Sequence, residues 1–270
     1  MSGMSLQQII DLDRFPIDDP DNPEYQKLMD RGRKSLNDCA LFAMEQFIRP
    51  EVVPLMAAEL LNLLPRSCRY DQMRNAYTLG SDSDELSDQH PLKQLHSCNY
   101  HQVLNYQIPN DSLLRRVYYW QTLTDFLGKL SGYDSFYRSD CPQLALSAKI
   151  AGEGDTDGWH FDSNDVVFSI LLQEPEGGGQ FEYAPFIRSE QDENYDGISQ
   201  LVSDPENFAV KPAMGLGNLT VFKGDLSMHR VTPVVGQRKR IIALFCYDRN
   251  PGTVFDQSYI EELTQGMAAT

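Results

Sequence analysis

The chain has 270 residues, 41% of them hydrophobic, and a formal net charge of −16, enough for one large all-β or mixed domain with a real core or for two small ones. That acidity argues against DNA or RNA as partner, since a phosphate backbone would be repelled; it suits solubility first and a cationic partner second. No stretch approaches the length of a membrane span and the N-terminus lacks a basic start followed by an apolar block, so no membrane association and an intracellular, cytoplasmic location are expected. The five cysteines are scattered and odd in number, without C-x-x-C spacing, and read as reduced thiols.

Taken in order, Met1 to Pro20 is polar and irregular. Asn22-Pro23-Glu24 is a helix start, because Asn caps free N–H groups and Pro tolerates the first helical position; Tyr25, Leu28, Met29 and Leu36 follow at helical spacing. Ala40 to Met44 reads as a strand, and Pro50-Glu51 opens a second helix to about Leu64. Ser67 to Pro109 holds an acidic, Ser-rich loop (Ser81 to Asp88) and then His90, His96 and His101, whose spacing matches no recurrent ligand pattern; loop or pocket lining is expected there. Asp111 and Ser112 cap a third helix, carrying Leu113, Val117, Trp120, Leu123, Phe126 and Leu130 and ending near Gly132.

From about Gln143 the pattern changes to strands: Leu144 to Ile150, the run after His160, Leu219 to Phe222, Val231 to Val235 and Ile241 to Tyr247. Gly177, Gly178 and Gly179 between two apolar runs predict a tight connection between antiparallel strands; without a following Lys-Ser/Thr they are no phosphate loop. Gln191 to Gly197 is polar and acidic, a solvated loop or lid, and Asn250 to Thr270 is a tail with one short helical piece. The expectation is a single domain, residues 1–270, mainly β with bracing helices (α+β): a mostly helical scaffold over 1–142, a jelly-roll, cupin-like core over 143–248 and a tail over 249–270.

The chemistry concentrates in G-W-H-F-D-S-N-D-V-V-F-S-I-L-L-Q, residues 158–173. His160 and Asp162 stand two apart, and alternation on a strand projects both from one face. His229 in D-L-S-M-H-R-V-T-P-V supplies a third ligand. Two histidines and one carboxylate make the facial triad that holds non-haem Fe(II) with other positions open, enough for a chelating keto acid and dioxygen. The keto acid's far carboxylate then needs a buried cation, for which an Arg fork is suited. Arg238 and Arg240 share strand parity, and Arg240 sits deeper in the apolar run R-I-I-A-L-F. Arg188 is read either as a surface ion pair or as a substrate contact, and Asn164, with the parity of Asp162, as a support to the ligands or to the backbone.

These residues resemble the Fe(II)/2-oxoglutarate-dependent oxygenases from about Gln143 to Asp248: His160, Asp162 and His229 match the metal triad, and Arg240 the basic residue beyond the distal histidine. The resemblance implies a double-stranded β-helix, with Fe(II) as cofactor and 2-oxoglutarate and O2 as co-substrates. More narrowly, G-E-G-D-T-D-G-W-H-F-D, P-E-G-G-G-Q-F-E-Y, H-R-V-T-P-V and the N-terminal R-F-P-I-D-D-P are similar to enzymes that hydroxylate or halogenate free amino acids such as lysine. In the halogenases of that branch a small residue replaces the carboxylate and admits chloride; Asp162 implies oxygenation instead. The implied function is hydroxylation of an unactivated C–H of a small, amino-acid-like substrate, with His96, Asp157 and Trp159 as substrate-side candidates. Ser97 departs from the basic residue expected beside the counterpart of His96. The same chemistry also gives desaturation or ring closure, and a cupin-like metalloenzyme would use the triad without a keto acid.

Overall fold

A computed structural model describes residues 3–77, 86–88 and 90–265. The eight helices among them are α1 (Leu6–Ile9), α2 (Pro23–Cys39), α3 (Val53–Leu61), α4 (Leu113–Tyr118), α5 (Gln121–Ser131), α6 (Tyr195–Ser203), α7 (Pro205–Phe208) and α8 (Gln257–Thr264). The main sheet has ten strands: β1 (Leu41–Met44), β2 (Cys68–Arg74), β3 (His96–Val103), β4 (Leu146–Ala151), β5 (Thr156–His160), β6 (Val167–Gln173), β7 (Phe181–Ala184), β8 (Leu219–Phe222), β9 (Met228–Val231) and β10 (Arg240–Phe245). Their order is β1-β8-β6-β10-β4-β3-β5-β9-β7, with β2 also paired to β3 and every pairing antiparallel. This is the mainly β architecture with bracing helices that the sequence predicts.

The period-2 pattern decides which side of the sheet is core and which is cavity. Leu146, Ala148 and Ile150 of β4, Phe168, Ile170 and Leu172 of β6, Leu219 and Val221 of β8, and Ile241, Ala243 and Phe245 of β10 join one buried cluster with Leu28, Met56, Leu60, Val117, Phe126 and Leu130 of the helices. Each of the Val, Leu, Ile, Phe and Met side chains among them contributes about 1.5–3 kcal/mol by leaving water. The alternate residues, Lys149, Ala151, Val167, Ser169, Thr220, Phe222, Arg240, Ile242 and Leu244, line a cavity instead. The same strands thus anchor the helices with one face and with the other furnish a largely apolar cavity that holds a few charged groups.

Several boundaries differ from the sequence reading. Residues 67–109 hold β2 and β3, and His96 and His101, expected in a loop or pocket lining, lie on β3. With β1 they are three strands of the main sheet drawn from the segment read as mostly helical scaffold. The third helix is broken: Trp120 adopts an extended conformation (φ −71°, ψ 112°) and separates α4 from α5. The strand read as Val231 to Val235 begins earlier, at Met228, and ends before Thr232-Pro233. Of the residues read as a polar loop, Tyr195 already opens α6, whose N–H of Gly197 is capped by the Asn194 side chain.

The glycine run is no hairpin. β6 and β7 lie in different parts of the sheet and do not pair; the chain crosses between them while Gly177–Gly178 pair with Val234–Val235. Gly178 and Gly179 both have φ +60°, and a Cβ on Gly178 would overlap the Pro233 carbonyl. Only glycine permits that backbone approach in the left-handed region. The acidic stretch 81–88 lies largely outside the described residues.

Candidate functional site

β5 and β9 bring the two histidines face to face. His160 pairs with His229 and Asp157 with Val231, so three steps on β5 oppose two on β9. This β-bulge inserts one residue at Gly158-Trp159 and rotates the strand. Asp157 and His160, which strict alternation would place on opposite faces, therefore both line the cavity, while Trp159 packs outside with Ile198 and Leu201 of α6. Gly158 is required here: a Cβ would come within 2.5 Å of the His96 Cβ and 2.7 Å of the Ser97 carbonyl on β3.

Asp162 lies in the turn after β5, where its N–H donates to the Gly224 carbonyl at 3.0 Å. Its carboxylate stands 3.4 Å from His229 Nε2 and 4.0 Å from His160 Nε2. One ligand atom from each of the three side chains falls within a 4.8 Å group. Both imidazoles are oriented alike: His160 Nδ1 lies 2.7 Å from the Gly158 carbonyl and His229 Nδ1 3.0 Å from the Ser227 carbonyl. A carbonyl only accepts, so each Nδ1 carries the proton and each Nε2 keeps a lone pair for the centre. Burial, then the neighbouring His229, holds His160 well below the usual histidine range, which keeps it neutral and able to ligate. Two nitrogens and one carboxylate oxygen fit a divalent first-row metal with open positions.

Arg240 enters the same cavity from β10, its stem beneath Gly179, whose Cβ would lie 3.1 Å from the Arg240 Cδ. It is 5% exposed, and among the described residues it makes no hydrogen bond or ion pair. Burial lowers its pKa to about 10, with Asp157 opposing. An unpaired guanidinium in such a place is costly unless an anion arrives. Arg238, of the same parity, precedes the strand and turns outward, donating to the Glu174 and Pro175 carbonyls. The second cavity cation, Lys149, is already committed: it pairs with Asp157 and lies 4.4 Å from the centre of the Tyr100 ring. Arg74 Nη2 reaches the other Asp157 oxygen at 3.3 Å. Burial would raise the Asp157 pKa, but Lys149, His160 and Arg74 outweigh it and hold the carboxyl below its usual range.

Of the three substrate-side candidates, Asp157 lines the cavity, whereas His96 and Trp159 do not. Arg188 pairs with Glu193 at 3.1 Å and lies 3.8 Å over the Phe161 ring. Asn164 turns toward Cys246, 3.8 Å from its sulfur. The sequence reading did not single out Lys149, Tyr100, Asn99, Phe181 or Phe222, all of which line the cavity. For Tyr100 the signal was present, since Cys68-Arg-Tyr70 and Cys98-Asn-Tyr100 share an alternation that stacks the two tyrosine rings 5.3 Å apart.

A family model described as halogenase D matches residues 25–259. The chain belongs to this halogenase D family. No curated protein matches its sequence. Among solved structures, a 2OG-Fe(II) oxygenase family oxidoreductase from Burkholderia pseudomallei is 14% identical, with 83% of this chain and 92% of that one covered and a TM-score of 0.51. SnoN, described as a non-heme alpha ketoglutarate dependent epimerase from nogalamycin biosynthesis, is 11% identical, with 83% of each chain covered and a TM-score of 0.54. HygX from Streptomyces hygroscopicus, solved with nickel and 2-oxoglutarate bound, is 11% identical, with 80% and 85% covered and a TM-score of 0.52. At these identities the likeness is one of fold: the curled sheet of this halogenase D family member is the double-stranded β-helix of those oxygenases.

Proposed function

We propose that the protein is an Fe(II)/2-oxoglutarate-dependent dioxygenase that hydroxylates an unactivated C–H of a small, amino-acid-like substrate. The observation that carries this reading is the buried, unpartnered Arg240 in the cavity of His160, Asp162 and His229. A metalloenzyme of the same fold with no anionic co-substrate would leave that guanidinium without a purpose, which disfavours the cupin-like alternative.

His160, Asp162 and His229 would hold the metal, and Arg240 the far carboxylate of the keto acid through two parallel N–H donors. When bound, Fe(II) would activate dioxygen, the oxidant, with 2-oxoglutarate supplying two of the four electrons in becoming succinate and carbon dioxide and the substrate C–H supplying the other two in gaining oxygen. The chain's own part is aiming and shielding. Phe181, Phe222, Val231, Ile242 and Leu244 exclude water from the cavity, and Asp157 keeps Lys149 from competing with Arg240 for the keto acid. The carboxylate of Asp162 supports oxygenation over halogenation, because it fills the position that the resemblance assigns to halide. The amino-acid character of the substrate rests on the sequence resemblance, with Asp157 as its candidate contact.

The test is aerobic turnover of the Fe(II) protein with 2-oxoglutarate, chloride and a panel of free amino acids and derivatives. Succinate release stimulated by one compound, with a product heavier by one oxygen atom, is expected. A chlorinated product would contradict the role given to Asp162, and no succinate with any compound would contradict the reading as a whole.

A further inference from the structure

The outer face of the metal-bearing strands carries a second cluster that the chemistry above does not use. On β9, Arg230 follows His229 and points the other way; on β5, Trp159 precedes His160 and does the same. Arg230 is the direct cross-strand neighbour of Glu182 on β7. Its Nε and Nη2 donate to Glu182 Oε2 at 2.8 and 2.7 Å, and its guanidinium lies 4.7 Å from the Trp159 ring centre. Glu182 is 3% exposed and Trp159 2%, and Lys211 adds a further cation 3.7 Å from Glu182. The three side chains form one stack across β7, β9 and β5, directly behind the paired histidines.

Burying a carboxylate costs several kcal/mol of solvation before any attraction is counted, and Glu182 is buried while Arg230 is only partly so, so a charge needs a reason at this place. The bulge provides one. Gly158 and Trp159 sit where β5 has one residue too many, so the register at the bulge decides which face each neighbouring side chain takes. A slip by one residue would turn His160 out of the cavity and Trp159 into it. The guanidinium plane, anchored by Glu182 on one side and stacked on the indole on the other, holds Trp159 outward and therefore His160 inward.

We propose that Glu182, Arg230 and Trp159 are positioning residues that set the His160–His229 geometry from the opposite face of the sheet. The inference rests on the metal-site reading given above. Residues that support metal ligands typically change affinity about ten- to a hundred-fold when lost, and that range is expected here.

The experiment is titration of the metal-free full chain with cobalt(II), followed by visible absorption and tryptophan fluorescence, beside its thermal unfolding. Glu182→Gln keeps the shape and removes the charge; Trp159→Phe keeps a ring and shrinks the stacking surface. Both are expected to weaken cobalt binding about tenfold or more and to alter the cobalt absorption envelope. Leu60→Ala is the control: it thins the packing of α3 in the helix-facing core, a different cluster from the one that holds Trp159, and should lower the melting temperature while leaving cobalt affinity within about twofold, well short of that range. Arg230→Lys, which retains charge but not the planar fork, should fall between wild type and Glu182→Gln. Cobalt affinity and spectrum unchanged in Glu182→Gln and Trp159→Phe would overturn the proposal while leaving the metal site intact, as would an equal loss of affinity in Leu60→Ala. Failure of the wild type to bind cobalt would remove the metal-site reading and this inference together.

Discussion

Replacing Arg240 by Met should separate binding from stability in opposite directions. The guanidinium is 5% exposed and has no anionic partner among the described residues, so the ligand-free fold bears its desolvation without return. Met has similar reach and no charge, and repacking a buried ion as a hydrophobe of like volume is often neutral or stabilising by about 1–4 kcal/mol. The metal-free Arg240→Met protein should therefore resist urea at least as well as wild type. Binding of 2-oxoglutarate goes the other way. Truncating one partner of a buried, hydrogen-bonded charge pair costs about 2–5 kcal/mol, roughly thirty- to four-thousand-fold in affinity at 1.4 kcal/mol per decade. The assay is urea unfolding with and without 2-oxoglutarate at about a hundred times the wild-type Kd, where ligand linkage adds about 2.7 kcal/mol to wild type and little to the variant. A variant that is less stable without ligand by more than about 2 kcal/mol, yet keeps the full 2-oxoglutarate increment, would refute the reasoning, because Arg240 would then be a structural ion paired within the protein.

Asp162→Ala should abolish succinate-coupled hydroxylation and weaken metal binding, checked by cobalt titration and product analysis. Gly224→Ala should do part of the same without touching a ligand, because its new Cβ would overlap the Asp162 carboxylate; cobalt affinity should fall while far-ultraviolet circular dichroism is unchanged. The third prediction concerns pH. Asp157 has its folded pKa depressed by Lys149, His160 and Arg74, so its contribution to stability is fully present above the unfolded value of about 3.9 and is lost as pH falls toward the folded value. Asp157→Asn should thus be markedly less stable than wild type at neutral pH, by about 3–5 kcal/mol, with the gap narrowing below about pH 4. Urea unfolding of the metal-free proteins across that range checks it, and a gap independent of pH would contradict the assignment.

The site was legible where chemistry leaves a short signature. His160, Asp162 and His229 stand out because a facial triad needs few residues, and Arg240 because a cation in the run R-I-I-A-L-F must have an anion to meet. The strands that build the helix-facing core were legible for the same reason that they pack: Val, Ile, Leu and Phe recur at period two. β2 and β3 were not, because their alternation is carried by Cys and Tyr against Arg, Asp, Asn and His and so lacks the Val, Ile and Leu code of the other strands. The glycine run misled because two apolar segments flanking a turn signal look like a hairpin; that the chain crosses the sheet there depends on the Pro233 carbonyl, brought close only by the fold. Trp159 was placed on the substrate side by its nearness in sequence to His160, and His96 by the family resemblance, whereas the bulge at Gly158 puts Trp159 on the far face. A one-residue register irregularity has no sequence pattern of its own beyond the glycine that allows it.

The measurement that tests the central claim most directly is an anaerobic optical titration of the Fe(II)-loaded protein with 2-oxoglutarate. A visible charge-transfer band should appear and saturate in the wild type, vanish in His229→Ala, and require far more keto acid in Arg240→Met. Iron bound at the triad with no band at any 2-oxoglutarate concentration would contradict the account, and the chain would then be a metal protein of this fold that uses no keto acid.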